Sequence, residues 1–530
     1  MSIESMSPET VRQLVACGDE VALIDVREEG AFSSGHLLWA VCIPFSRLEL
    51  RVDSLIPRQD TPVIICDANG ELALQSAARL ATLGYSNVAI LEGGLGAWTA
   101  AGYEIFSGVN VPSKAFGEFV EHAYHTPDMD AGELKTRLDA GDDLVVLDSR
   151  PLDEFHAMSL PQGQCVPGAE LVYRVHDVAP NASTTVVVNC AGRTRSIIGA
   201  QSLINAGIEN PVIALRNGTM GWHLAGQQLR RGEVGIIPPV TEQGMAHAEA
   251  CAARVAERFG VSYIEVAELD RMRADQHKYN LFILDVRTAP EYEAGHIQAA
   301  RHAPGGQLVQ ATDQYVGVLG ARIVLTDDNA VRATMSASWL IQLGWQHVYV
   351  LRSDAAERSE AGPERVSISG LEDLEVELLS APSLARIHAQ DRVNLIDLSR
   401  SRAFLKGHIS GARHAVRSRL AELLAVLPSR SWLVFTSEDG VLARFAAADV
   451  ESHTEARVAA LMGGNQSWRD SKFELVSGSH GMDEDTDDVW VSPYDNPDNL
   501  EAAMNAYLSW EVGLVEQIER DGTTRFKRFD

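Results

Sequence analysis

The sequence predicts an α/β chain of four tandem units, each a mainly parallel sheet flanked by helices. Three observations predict it: a strand-end pattern that occurs four times, a second strand–loop–helix segment held at a fixed interval from the first, and a Gly-rich turn before Trp late in the unit. Short β-branched runs alternating with helical patterns indicate parallel strands joined by crossover helices.

The strand-end pattern is an apolar run closing on Asp, then a basic residue, an aromatic and Gly-His. LIDVREEGAFSSGH supplies Asp25, Arg27, Phe32, Gly35 and His36; ILDVRTAPEYEAGH supplies Asp285, Arg287, Tyr292, Gly295 and His296; LIDLSRSRAFLKGH supplies Asp397, Arg400, Phe404, Gly407 and His408. The fourth copy, VLDSRPLDEFH, has Asp148, Arg150 and Phe155, with Ser159 where the distal His would be. The intervals Asp25 to Gly84, Asp148 to Gly207 and Asp285 to Gly344 are equal, and each of these glycines ends an Ala-rich helical stretch behind a second apolar strand. The Gly-rich turn appears as EGGLGAW at Trp98, RNGTMGW at Trp222 and MGGNQSW at Trp468, and is missing from the copy that reads LRSDAAE. The expected units are residues 1–106, 125–232, 261–356 and 372–475, with a helical connector at 233–260 and an acidic linker plus C-terminal helix at 476–530. The acidic run MDEDTDD reads as solvated linker, and the helix after it as packing on a neighbouring unit.

At 530 residues, 45% hydrophobic and 22% charged, the chain is of the globular, multi-domain class. Its net charge of −28 disfavours nucleic acid and anionic membrane, which need clustered Lys and Arg. No apolar run is long enough for a span, and the opening MSIESMSPETVRQL has neither the basic nor the apolar part of a secretory signal, so a cytoplasmic chain is expected. The six cysteines are widely spaced, with no CxxC pair, and are expected as free thiols. Neither a metal nor a cofactor is expected.

Cys190 is the residue with the strongest chemical signal. It follows the strand TTVVVN and precedes the loop AGRTRS and a helix starting near Ser196. Loop amides, the positive end of a helix, and Arg193 and Arg195 would together stabilise a thiolate, and such surroundings bring a thiol from about 8.5 down to about 3.5–7.5.

The strand with DxR, the second strand ending in Cys190, the loop CAGRTRS, the Ala-rich helix and NGTMGW together resemble the rhodanese family of sulfurtransferases, over nearly all of the chain from Ile3 to Trp468. The resemblance implies four tandem rhodanese-like domains, of which the second is catalytic. It implies a thiosulfate sulfurtransferase in which Cys190 takes the outer sulfur of a small anionic donor as a persulfide and passes it to cyanide or a thiol. Ala191, Gly192, Arg193, Thr194, Arg195 and Ser196 would cradle the persulfide, Arg193 and Arg195 would also bind the departing anion, and Asp148 and Arg150 would brace the loop. Alternatives are a persulfide carrier served by a protein partner, and a phosphatase or arsenate reductase, although four residues between Cys190 and Arg195 make a tighter ring than the five of related phosphatases.

In gapless register the position of Cys190 is taken by Asp67 and Asp327, and in the fourth unit Ser437 is nearest; none can form a persulfide. Cys66 is a rival one residue away, in a loop without Arg. Cys165 is placed in a loop. The repeated histidines read as structural, and Trp222 as a packing residue.

Overall fold

The computed structural model describes residues 3–235, 238–482 and 487–530. Its architecture is four five-stranded sheets with the same strand order, first–fifth–fourth–second–third, and every pair within them parallel. In the second unit the strands are Asp128–Met129, Leu144–Asp148, Gly163–Cys165, Thr185–Asn189 and Val212–Leu215. The central strand Thr185–Asn189 is buried along its whole length, because helices cover both faces of such a sheet. That coverage explains why the run is continuously β-branched rather than alternating. The expected α/β fold of four units is therefore observed.

The strand pairing fixes the register between units. Asp25 pairs with Cys66, Asp148 with Asn189, Asp285 with Thr326 and Asp397 with Thr436. The next residue in each case, Asp67, Cys190, Asp327 or Ser437, opens the loop at the strand's C-terminal end. Cys66 is thus the counterpart of Asn189, a strand residue whose thiol donates to the Ile24 carbonyl at 3.3 Å.

Small local devices repeat with the fold. His36, His296 and His408 each stack on the preceding aromatic, at 3.9, 3.9 and 3.7 Å between ring centroids, and each makes a bridge to a later segment, at Phe106, Glu360 and Val476. Ser159 makes the same backbone bridge, to Arg230, without the ring. Trp98, Trp222 and Trp468 are buried and donate their indole N–H to the carbonyls of Glu104, Gln228 and Glu474. Arg400 does not play the part of Arg27, Arg150 and Arg287: Ser399 occupies their position and donates its amide to Asp397, while Arg400 reaches Glu29 of the first unit at 2.9 Å.

The units are fastened to one another. One apolar core runs through the first and third units and takes in Phe116 of the linker helix Val111–Tyr124. Buried ion pairs join the first unit to the fourth (Glu49–Arg417, 2.7 Å) and the second to the third (Glu170–Arg332, 2.9 Å). The connector contains the helix Glu242–Phe259, capped by Thr241 at one end and by Gly260, at φ 66, at the other; residues 236 and 237 lie outside the described residues. No described helix is long and apolar enough to cross a membrane.

The C-terminal segment departs from expectation in its acidic run and follows it in its helix, which packs on neighbouring units. Of the acidic run, residues 483–486 lie outside the described residues, but Asp487 pairs with Arg419 at 2.7 Å and Asp488 is buried, accepting the Ser401 amide at 2.7 Å. These two aspartates are anchors on the fourth unit rather than solvated linker. The helix Leu500–Asp521 then packs across the first and second units, with Leu514 and Ile518 against Phe106, Val111 and Ala115, and Met504 and Leu508 against Met220.

Candidate active site

The Cys190 loop is held from five directions. Beneath it, the Ser149 amide and hydroxyl both donate to the Asn189 carbonyl at 2.9 Å, and Asn189 donates to Asp148 at 2.8 Å. Asp148 also receives Arg150 through two bonds of 2.8 and 2.7 Å, and Arg150 continues to the Met158 carbonyl at 2.7 Å. Asp148 and Arg150 thus lock the neighbouring strand end to the strand that presents Cys190.

From the side, the Gly-rich turn pins the loop. Thr219 and Met220 donate their amides to the carbonyls of Cys190 and Ala191 at 2.8 and 3.0 Å. Gly218 is required there: its φ is 52, and a Cβ would lie 2.3 Å from the Cys190 carbonyl oxygen. Behind the loop, the helix Thr194–Asn205 lies tight on the sheet, since a Cβ on Gly199 would meet Leu171 at 2.7 Å and Val188 at 2.9 Å.

The fourth side is the linker helix Val111–Tyr124, which the sequence did not connect with the site. Gly117 lets it approach Thr194, and it carries Glu118 and Glu121 to Arg193. Arg193 donates to both Glu118 oxygens, at 2.7 and 2.8 Å, to Glu121, and to Asn217 at 3.4 Å. Its guanidinium, expected to bind substrate, is engaged here in a buried clamp with two carboxylates. Arg195 is held by Glu154 at 2.7 and 2.8 Å and by Gln307 of the third unit at 3.3 Å. Of the two arginines, Arg195 has the larger pull on the Cys190 sulfur.

Cys190 itself is 2% exposed. Burial raises its thiol above the ordinary value, against the opposing pull of Arg195 and of hydrogen bonds to the Ser196 hydroxyl, 3.5 Å away, and its amide. The expected depression is thus reversed in this closed arrangement, because the loop is roofed and the desolvation of a thiolate outweighs one arginine. Cys165, expected in a loop, ends the strand Gly163–Cys165; its thiol faces the Arg150 carbonyl at 3.7 Å, and burial pushes it up to about 12.

The degenerate loops report what the ring of amides does. Asp67 accepts the amides of Gly70, Leu72 and Ala73 at 2.5, 2.8 and 3.0 Å. Asp327 accepts those of Asn329, Ala330 and Ala333 at 3.1, 2.5 and 3.1 Å. In both, a carboxylate fills the place that Cys190 holds in the second unit, and the Gly70, Leu72 and Ala73 amides correspond to those of Arg193, Arg195 and Ser196. In both loops several backbone amides converge on one side chain.

The roof comes from the C-terminal segment, and sequence reasoning assigned none of it to the site. Tyr494 bonds the Thr219 hydroxyl at 2.7 Å and the Ala191 carbonyl at 3.3 Å. Glu511, Tyr507 and Leu508 lie over Gly192. Lys114 of the linker helix, 3% exposed, sits among the rings of Trp490, Tyr507 and Trp510 at 5.2, 5.1 and 4.9 Å and fastens the roof in place. The only sequence signal was the aromatic content of the tail, which does not say what it covers.

Comparison with known proteins agrees with this geometry. The rhodanese-like domain family matches residues 7–101, 130–225 and 265–356. A thiosulfate sulfurtransferase from Pseudomonas aeruginosa, known as a crystal structure, is 44% identical over all of both chains, with a TM-score of 0.96. A sulfurtransferase of Allochromatium vinosum is 30% identical over 103 residues, 19% of this chain and 94% of that protein. An uncharacterized Synechocystis protein is 33% identical over 110 residues, 20% of this chain and 59% of that protein's length. With three family matches, a fourth sheet of identical strand order and one cysteine-bearing loop among four, the chain belongs to the rhodanese-like family and is a rhodanese-type enzyme.

Proposed function

We propose that this chain is a sulfurtransferase that moves sulfane sulfur from a small anionic donor such as thiosulfate to cyanide or a thiol, through a persulfide on Cys190. The observation that carries the reading is the occupancy of the sister loops: where the second unit has Cys190, the first and third have carboxylates embraced by backbone amides. The same ring would hold the negative outer sulfur of a persulfide.

In the first half-reaction the Cys190 thiolate attacks the outer sulfur of thiosulfate. The donor's sulfur–sulfur bond breaks, and sulfite leaves with the electron pair. In the second, cyanide or a thiolate attacks the outer sulfur of the persulfide and the Cys190 thiolate is released. The amides of Ala191 to Ser196 stabilise the charge at the sulfur, Arg195 adds its field, and Asp148 and Arg150 keep the strand ends in register.

Burial of Cys190 beneath the C-terminal segment favours a small donor over a partner protein, because a docking cysteine would have to reach a sulfur that is 2% exposed. Steady turnover of thiosulfate and cyanide to thiocyanate and sulfite, insensitive to orthovanadate, is the expected result. Turnover confined to a protein donor would favour the carrier reading, and hydrolysis of a phosphate ester blocked by orthovanadate would favour the phosphatase reading.

A further inference from the structure

The roof over Cys190 brings one acidic group whose role the fold does not explain. Glu511, on the helix Leu500–Asp521, is 2% exposed. Its Oε1 accepts the Tyr507 hydroxyl at 3.1 Å and the Thr194 hydroxyl of the loop at 3.4 Å. Its Oε2 is buried, has no hydrogen-bond partner among the described residues, and lies 3.1 Å from where a Cβ on Gly192 would stand. A buried carboxyl oxygen left unpaired costs about 1–3 kcal/mol, more if charged, so packing alone does not account for it.

Charged and titratable groups face Glu511 from every element packed on it. The linker helix presents Lys114 and Glu118, with Glu121 one turn on; the loop presents Arg193 and Cys190, with Arg195 next to Tyr507; its own helix presents Tyr507, and the turn Pro493–Asp495 packed on that helix carries Tyr494. Arg193 and Arg195 stay protonated, and Lys114 is enclosed by aromatic rings. Glu118 and Glu121 are paired with Arg193, and Glu154 with Arg195. Among the described carboxyls around the loop, Glu511 alone is not tied to an arginine. Burial and the neighbouring Glu118 raise it, against Lys114, to about 7, where a carboxyl both takes and gives a proton at neutral pH.

We propose that Glu511 is the proton carrier of the Cys190 reaction: its carboxylate takes the proton of the Cys190 thiol and hands it to the departing sulfite. The inference rests on the sulfurtransferase reading above. The Cys190 thiol and the Glu511 carboxylate become thiolate and carboxylic acid. The thiolate then forms the bond to the outer sulfur of thiosulfate as the donor's sulfur–sulfur bond breaks, and sulfite, leaving with that electron pair, takes the Glu511 proton. Persulfide, hydrogensulfite and the Glu511 carboxylate result, with total charge unchanged and no oxidant or reductant required. The need for a carrier follows from the burial of the thiol, which keeps its proton in place near neutrality.

The test is the pH dependence of single-turnover persulfide formation from thiosulfate, read by quenching and intact mass, in the full-length protein and in Glu511→Gln and Glu511→Asp. In the unaltered protein the rate rises with pH through about 7, as the pair Cys190–Glu511 loses its first proton. Glu511→Gln removes that ionisation and one lesser cause of the raised thiol, while burial, the largest cause, remains, so the rising limb moves beyond the ordinary thiol value of about 8.5. The loading rate at neutral pH then falls by about 10²–10⁴-fold and recovers in alkali. Glu511→Asp keeps a carboxyl and keeps the limb near neutrality. A Glu511→Gln limb that does not move, whatever the overall rate, or a Glu511→Asp limb displaced as far as that of Glu511→Gln, overturns the assignment while leaving the persulfide reading intact. Absence of persulfide in the unaltered protein at every pH overturns both.

Discussion

Cys190→Ala is expected to abolish sulfur transfer and to leave the fold standing. The loss should be complete, to the uncatalysed background, because no other loop holds a nucleophile of this kind: its counterparts are Asp67, Asp327 and Ser437. Cys66→Ala should leave the rate within about twofold, since that thiol is bonded to the Ile24 carbonyl inside the first sheet. Cys165→Ala should do the same, its thiol facing the Arg150 carbonyl. Truncating Cys190 removes one small side chain, and a cost of about 1 kcal/mol would still leave a cooperative fold. Thiocyanate production and thermal unfolding on the same samples check both halves. Residual turnover in Cys190→Ala would place the chemistry elsewhere.

Arg195→Gln and Arg193→Gln should fail in different ways. Arg195 is the cation that opposes the desolvation of the Cys190 thiolate, so its loss should slow persulfide loading by about 10²–10³-fold, the scale of removing one preorganised electrostatic contact. Arg193 is bound to Glu118, whose side chain is fully buried. Removing the guanidinium leaves that carboxylate uncompensated, at about 3–5 kcal/mol, so Arg193→Gln should lower the unfolding temperature before it touches the chemistry. Loading kinetics beside thermal melts distinguish the two; equal kinetic losses with equal stability would remove the division of labour proposed for them.

The division explains what was legible in the sequence. The fold was readable because the structure repeats: one parallel topology written four times leaves Asp, Gly and Trp at equal intervals, and equal intervals do not depend on knowing any contact. The Cys190 loop was readable for a local reason, since strand, cysteine, loop and helix are contiguous. The register of the other loops followed from the glycine interval, and the pairing of Asp25 with Cys66 against Asp148 with Asn189 bears it out.

What was hidden depends on distant parts of the chain. Whether Arg193 faces an anion or a carboxylate is decided by Glu118 on a linker helix that belongs to no repeat. Whether Cys190 is a ready thiolate or a buried thiol depends on all that covers the loop, and the C-terminal segment over Gly192 has no counterpart elsewhere in the chain to compare it with. An acidic run looks solvated until a partner is known, and Arg419 and the Ser401 amide are the partners of Asp487 and Asp488. For Arg193 and the two aspartates the local sequence supplied the charge and tertiary packing decided its partner, whereas for Cys190 burial decided the charge itself.

Exposure of the full-length protein to thiosulfate, followed by intact mass and peptide mapping, addresses the central idea most directly. One sulfur atom added per chain, lost on treatment with cyanide and confined to the peptide that contains Cys190, is the expected outcome. Sulfur recovered on the peptides of Cys66, Cys165 or any other cysteine, with Cys190 unmodified, would contradict it.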